Sequence, residues 1–395
     1  MRCILINQFH PPAVAPTGQV MADLARTLAA RGHEVVVLCA DDGYDDGSQS
    51  RRRRELVDGY VVIRLGIVGG GRRHPLARLA GYASFAAHAG AWLATRSRNR
   101  DVIIPLTTPP YLGLVARLAA ARGARLVHWI MDLYPDVLAA HGLCRDGSLV
   151  YRMLATLARL QWGPARLVLG LGPMMERRIR RHLHPRAPSA WVPLWGDASL
   201  QPVEPEVVRD SSELVLLYSG NLGLGHRCQE FLAVAAQTAG TSWIFAGGGA
   251  RRREVDAFIR ANPQAPVKLH GYVPLAQLRD HLCAADVHLA SLDPAWQGVM
   301  VPSKLPSSFR VGRPVIFVGG EDNEIAVWIR ESGGGWVVGC NDLTGLHAAV
   351  AAARDPAERR RRGQAALAFA RQHFDRQQNC QRIAEQVEAA GGLGN

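Results

Sequence analysis

Lysine is almost absent from this sequence: Lys268 and Lys304 stand against 44 arginines. Lys304 falls in Gly298-Val299-Met300-Val301-Pro302-Ser303-Lys304-Leu305-Pro306. An ammonium is a compact point charge that suits a diphosphate, where a planar fork is not required. Ser303 and Lys304 are therefore read as phosphate contacts. A second stretch, Tyr218-Ser219-Gly220-Asn221-Leu222-Gly223-Leu224-Gly225-His226-Arg227, runs from an apolar strand through glycines into a helix. That is the local pattern of a phosphate cradle. It nominates Gly220, Asn221 and Gly223, with His226 and Arg227 placed to reach a pyrophosphate. The plain structural reading is a glycine turn ahead of a helix.

Three further positions carry weaker signals. Asp132 follows the apolar run Leu126–Met131, at the carboxyl edge of a strand, where a carboxylate can hold a substrate hydroxyl or stabilise positive charge. It can equally cap the next helix, and Asp136, after Pro135, reads as such a cap. The loop Asn7-Gln8-Phe9-His10-Pro11-Pro12, with Pro16, Thr17 and Gly18 beyond it, joins the first strand to the first helix. Backbone amides near Gly18 can face an anion or a sugar hydroxyl. The spacing is not GxGxxG, so no nicotinamide fingerprint is read. Glu324 opens a helix after a strand, where it either caps that helix or holds a ribose hydroxyl.

The elements that must position these residues form two successive arrays. In the first, short apolar runs at Cys3–Asn7, Glu34–Cys39, Val61–Leu65, Val102–Leu106, Leu126–Met131 and Leu167–Gly170 alternate with helical segments. After a loose segment near 195–212 the pattern restarts at Leu214–Ser219. It continues through Trp243–Gly247, Val267–Gly271, Val287–Ser291, Pro314–Val318 and Gly335–Val338. Continuous apolar strands separated by helices predict parallel sheets covered on both faces. Helical sequence closes the chain from about 356 to 391. The expectation is an α/β protein of two doubly wound, Rossmann-like domains facing a cleft, with ligands outside the strands' carboxyl ends.

Composition narrows the class. The 395 residues are 48% apolar and 20% charged, which excludes a disulfide scaffold, a fibre or a mainly disordered chain. Seven dispersed cysteines without a CxxC pair predict reduced thiols and a cytoplasmic protein. The start, MRCILINQF, has no signal-peptide h-region. No run of 18 apolar residues predicts a transmembrane span. The nearest approach, Leu79–Thr95, reads as a buried or interfacial helix. Net charge is +12, with arginine clusters at 51–54, 177–181, 251–253 and 359–362. Of these, Met174–Leu183 interleaves apolar residues and predicts contact with anionic lipid, peripheral on the inner face of the plasma membrane. No recognition helix or aromatic RNA motif accompanies the charge, so nucleic acid is not expected.

The chain resembles the GT-B glycosyltransferases, specifically the retaining group called glycosyltransferase family 4, in its bacterial exopolysaccharide and O-antigen branch. The resemblance rests on FHPPAVAPTGQVMADLARTLAARGHEVVVLCA (9–40), MDLYPDVLAAHGL (131–143), YSGNLGLGH (218–226), VKLHGYVPLAQLRDHLCAADVHLASL (267–292) and VPSKLPSSFRVGRPVIF (301–317). It implies an acceptor domain over 1–196, a nucleotide-sugar domain over 197–375 and a last helix, 376–395, crossing back to the first domain. It further implies transfer of a hexose from a UDP- or GDP-type sugar, with retention and without metal or other cofactor. The acceptor would be a sugar or lipid-linked precursor. Asp132 and Lys304 would be catalytic. Gly18, Gly220, Asn221, Gly223, His226, Arg227, Ser303, Lys304 and Glu324 would hold the donor, and His10 and Tyr134 would face the acceptor.

The sequence also departs from the family pattern. The usual arginine and lysine after the first strand of the second domain fall on Asn221 and His226, which leaves Lys304 to supply charge. The two glutamates of the usual E-x7-E pattern fall on Val299 and Ser307, which makes Glu324 the candidate for ribose. The usual histidine before Asp132 is Met131. Alternatives left open are a soluble natural-product acceptor, a nucleotide-sugar epimerase using His10, His226 and Asp132 as acid/base groups, and a non-catalytic nucleotide-sugar-binding subunit.

Overall fold

Parallel strands that are apolar along their whole length bury both faces, and this constraint organises both halves of the molecule. The computed structural model describes residues 1–13, 15–41, 53–67, 75–197, 199–202 and 213–393. Arg51 and Arg52 of the first arginine cluster, and most of the loose 195–212 segment, lie outside them. The chain divides into two compact units, Met1–Val192 with Gln377–Asn395, and Pro193–Arg376.

The first unit runs β1 (Arg2–Ile6), α1 (Pro16–Ala30), β2 (Glu34–Ala40), β3 (Arg54–Val57), β4 (Tyr60–Leu65), α2 (Pro75–Arg96), β5 (Val102–Pro105), α3 (Gly113–Ala120), β6 (Arg125–Trp129), α4 (Asp136–Ala140), α5 (Leu149–Trp162), β7 (Ala165–Gly170), α6 (Pro173–Arg180) and β8 (Ser189–Trp191). The sheet order is β3-β4-β2-β1-β5-β6-β7-β8, parallel except for the β3–β4 pair. Cys3 pairs with Val35 on one side and Val102 on the other, so β1 lies at the centre. Ile4, Ile6, Val36 and Leu38 pack on Phe85, Ala89 and Leu93 of α2 and on Ala116 and Ala119 of α3.

The second unit runs β9 (Leu214–Ser219), α7 (Gln229–Ala235), β10 (Thr241–Ala246), α8 (Arg252–Ala261), β11 (Val267–His270), α9 (Leu275–Cys283), β12 (Val287–Ser291), α10 (Lys304–Arg310), β13 (Val315–Val318), α11 (Glu324–Ser332), β14 (Gly335–Val338), α12 (Leu343–Ala352) and α13 (Pro356–His373). Its six strands are all parallel, in the order β11-β10-β9-β12-β13-β14. That is the doubly wound order 3-2-1-4-5-6, and β4-β2-β1-β5-β6-β7 repeats it in the first unit.

The helix ends follow local chemistry. Asn323 caps α11 by accepting from Ile325 N, and Gly333 closes it at φ +66. Asp355 caps α13, with Pro356 in its first turn. The last helix, α14 (Arg376–Ala390), buries Cys380, Ile383, Ala384 and Val387 along one stripe. Its Glu388 accepts from Arg31 and His33 at 2.7 Å, in the turn that joins α1 to β2.

Two short edge strands, β3 and β8, were not expected from the sequence. Arg-Glu-Leu-Val and Ser-Ala-Trp lack the continuous apolar run that marks an inner strand. All seven cysteines are free thiols. Leu79–Thr95 lies within α2, and among the described residues no helix is long and apolar enough to cross a membrane.

Phe374 anchors the end of α13. Its ring is fully buried, 5.3 Å from Trp328 and 5.5 Å from Phe369. Phe374→Ala is expected to cost about 3–5 kcal/mol and to lower the unfolding midpoint of the second unit in a denaturant titration. An unchanged midpoint would place this ring outside the cooperative core.

Candidate active site

In the second unit the strand order reverses between β9 and β12, the position where ligands of such sheets bind. The glycine turn after β9 is held from behind. Gly220, at φ +119, donates its amide to Ala246 O at 2.8 Å, and Leu222 donates to Gly248 O at 2.6 Å. Gly247 approaches so closely that a Cβ there would stand 2.1 Å from Gly220 O. The Gly220 amide is thus engaged within the fold, and what Gly220 contributes is room. A Cβ on it would stand 3.3 Å from Lys304 Cε.

Lys304 opens α10, and its Nζ donates to Asn221 O at 3.1 Å and to His226 Nε2 at 3.2 Å. The ammonium also sits 4.8 Å over the Tyr218 ring. His226 Nδ1 lies 2.7 Å from Ser291 O. A carbonyl only accepts, so the imidazole proton is on Nδ1 and Nε2 offers its lone pair to Lys304. Burial, reinforced by the Lys304 charge, pulls His226 down to about 3, so it is neutral. Burial also pulls the Lys304 ammonium down to about 7. Among the described residues no carboxylate pairs with it; Glu230 and Asp293 pair with Arg227. Two of the three Lys304 donors are met by neutral acceptors, Asn221 O and His226 Nε2.

The other sequence-nominated residues divide. Gly223 accepts the His226 amide, closing the turn. Arg227, expected to reach a pyrophosphate, is committed to Glu230, Asp293 and, at 2.8 Å, Asn341 Oδ1. Ser303 is the N-cap residue of α10 without a side-chain cap bond. Glu324 is buried in the first turn of α11, where Asn323 makes the cap.

In the first unit, Asp132 lies beyond β6 and lines a recess with Thr107, Tyr111, His128, Tyr134 and Trp162. The recess has room for about one water molecule, so it is not itself a sugar pocket. Thr107 Oγ1 accepts the amides of Met131 and Asp132 at 3.3 and 3.2 Å, which fixes the turn. Burial pushes the Asp132 carboxyl up to about 6. Tyr134 packs 6.1 Å from Tyr111, and burial raises its phenol. Gly113 is required here because a Cβ would meet His128 Cε1 at 2.2 Å.

Three first-unit expectations are corrected. His10 donates from Nδ1 to Pro11 O and accepts at Nε2 from Tyr60 OH, at 2.9 and 3.1 Å. Burial lowers it to about 4, so it is a neutral, satisfied core histidine. The Gly18 amide donates to Ala15 O, and the residue's small size lets Phe9 O approach α1. Asp136 is no helix cap. Burial raises its carboxyl, but His182 Nε2 at 2.9 Å and Arg178 at 3.1 Å outweigh that and lower it overall.

Sequence reasoning did not nominate Tyr218, Ser291, Gly247, Thr107 or Tyr111. The glycine run 247–249 after β10 was a legible signal. The others are ordinary strand and loop residues whose role comes from packing. A surface pocket between α11, α12, β14 and Arg362 contains none of the nominated residues.

Two Rossmann-ordered units, the second carrying a lysine beneath a glycine turn at its switch point, have the GT-B fold. Residues 17–195 match the glycosyl transferase 4-like domain family. The probable glycosyltransferase WbjE of Pseudomonas aeruginosa is 26% identical over 264 residues, 64% of this chain and 66% of the relative's length. Sucrose-phosphate synthase from Thermosynechococcus elongatus superposes with a TM-score of 0.79 at 17% identity, covering 100% of both chains. Anabaena HepE, solved with UDP-glucose, gives 0.70 at 15% identity over 98% of this chain and 100% of its own. The two structural likenesses are of fold.

The depressed Lys304 gives a stability signature. Between about 7 and its unfolded value near 10.5 the unfolded chain holds the extra proton, so rising pH favours the folded state. From about pH 7 to 8.5, before thiols titrate, the wild type's thermal midpoint is expected to rise relative to that of Lys304→Met. Parallel curves would mean that the ammonium is fully solvated.

Proposed function

We propose that this glycosyltransferase moves a hexose from a nucleoside diphosphate sugar, of UDP or GDP type, onto a lipid-linked or polysaccharide-precursor acceptor. Configuration at the anomeric carbon is retained and no divalent metal takes part. The observation that carries the donor reading is Lys304, a half-buried ammonium held by neutral acceptors under the 220–225 turn. A diphosphate would complete its third hydrogen bond and restore its full charge. HepE, one of the fold relatives, is described in complex with UDP-glucose, which supports the same ligand class here.

In this reading the second unit binds the donor, and Lys304 stabilises the negative charge that grows on the departing nucleoside diphosphate. That is the electrostatic task a metal ion performs in other transferases. The first unit takes the acceptor. Asp132, with its proton affinity raised towards neutrality by burial, offers a carboxylate to the positive charge that develops at the sugar or to a reacting hydroxyl. Tyr134 beside it contributes an apolar wall. A lipid-linked acceptor places the enzyme in the cytoplasm, peripheral on the inner face of the membrane.

Lys304→Ala should weaken donor binding or turnover more than tenfold, as expected for a charge-assisted phosphate contact of about 1.5–3 kcal/mol. Donor affinity of the wild type should fall as pH rises above about 7, and this slope should vanish in the variant. Asp132→Asn should reduce turnover far more than donor affinity, and chelator should leave transfer intact. Radiolabelled transfer from UDP- and GDP-sugars, with calorimetry for binding, reads all four. Unchanged rates in Lys304→Ala would remove this lysine from the site.

A further inference from the structure

Seven of the fifteen most exposed large apolar side chains among the described residues fall on three helices of the first unit. They are Leu76 and Leu79 on α2, Leu118 on α3, and Leu149, Val150, Met153 and Leu160 on α5. The three helices form one layer, with α2 packed on α3 and α3 on α5. Arg117 of α3 donates to Leu160 O, which ties the last two together. Their inner faces cover the sheet through Phe85, Ala116 and Ala158, so these exposed side chains belong to the outer face.

The charge on the same helices is one-sided. Together they hold five arginines, Arg78, Arg96, Arg117, Arg152 and Arg159, and no aspartate or glutamate. The chain as a whole carries 34 acidic residues against 46 basic ones, so the lack of carboxylates is local. Asp146, in the turn before α5, is exposed and marks one edge of the patch. On α5 the leucine–methionine stripe 149, 153, 160 runs beside the arginine pair 152, 159, at helical spacing. Leu149 is 84% and Met153 60% exposed, which is a costly place to leave apolar side chains in water.

We propose that this face docks on an anionic bilayer surface. The apolar stripe enters the boundary of the acyl chains while the arginines meet lipid phosphates. A second copy of the same face would set arginine against arginine, so the charge pattern argues against self-association. The sequence pointed instead to Met174–Leu183. In the structure Met175 and Ile179 of α6 are buried, and Arg178 pairs with Asp136, so that helix has no apolar face to offer. The inference deepens the lipid-linked acceptor reading and rests on it for its purpose. It does not depend on the nature of the donor.

The test is sedimentation of the full chain with vesicles of phosphatidylcholine alone or with about a third phosphatidylglycerol, at about 0.05 and 0.5 M salt. Capture by the anionic vesicles only, weakened by salt, is expected. Each arginine near the surface is worth about fivefold, so Arg152→Glu/Arg159→Glu should bind more than tenfold more weakly. Leu149→Ser/Met153→Ser should lose the binding that survives salt. Thermal melting and nucleotide binding check that both variants are folded. Equal capture by neutral vesicles, no capture at all, or undiminished capture of the arginine variant would overturn the proposal. So would a dimer that Leu149→Ser/Met153→Ser dissolves. Vesicle binding through this face by an enzyme that glycosylates only soluble acceptors would keep the surface and overturn the acceptor reading.

Discussion

An ammonium group that no carboxylate partners among the described residues is the constraint on which the second unit's site depends. Lys304 is drawn out of bulk water and, among the described residues, is compensated by a carbonyl, an imidazole lone pair and a ring face. Each of these is a partial negative charge, and together they do not replace an anion. The surrounding residues maintain that imbalance. Arg227, in the same loop as His226, is paired with Glu230 and Asp293, and Ser291 O fixes the His226 tautomer so that its ring accepts rather than competes. Gly220 and Gly247 bring two turns together without a Cβ to push the lysine away. The apo site therefore stores an electrostatic deficit that a diphosphate oxygen would correct.

The same sheet order in both units explains why chemistry collects at loops of such different sequence. In the second unit the reversal lies between β9 and β12, whose ends carry the glycine turn and Ser291. In the first it lies between β1 and β5, whose ends carry the 7–15 loop and Thr107. Adjacent strands at these points send their following helices to opposite faces, and the gap leaves loop backbone uncovered. Unit 1 fills its gap with neutral groups such as His10, bonded to Tyr60, and Asn7, which donates to Phe9 O. Unit 2 leaves a cation there.

The inner strands were readable because their apolar runs are unbroken, and β9, Leu214–Ser219, was read at the bounds the structure gives it. The edges β3 and β8 were not readable, since a strand paired on one side has no need of that pattern. At the site, composition picked out Lys304 because lysine is so rare here, and glycine spacing picked out Gly220. Burial and partner choice were invisible. Nothing in the sequence distinguishes Arg227, locked into Glu230 and Asp293, from an arginine free to meet phosphate. Asp136 reads as a cap in the sequence because its partners, Arg178 and His182, lie more than forty residues away.

Histidine chemistry decides against the epimerase alternative. That reading required His10 and His226 to exchange protons alongside Asp132. Each imidazole gives its Nδ1 proton to a backbone carbonyl and fills its Nε2 lone pair with a fold-internal donor. Burial holds them at about 4 and about 3, so neither carries a second proton near neutral pH. A group with both nitrogens committed can neither accept nor release a proton without breaking the loop it holds. Asp132, raised to about 6, is left as the one group of the three placed to titrate near neutrality. A single carboxylate can stabilise charge or assist a hydroxyl, whereas two-sided proton exchange at a sugar carbon requires a pair.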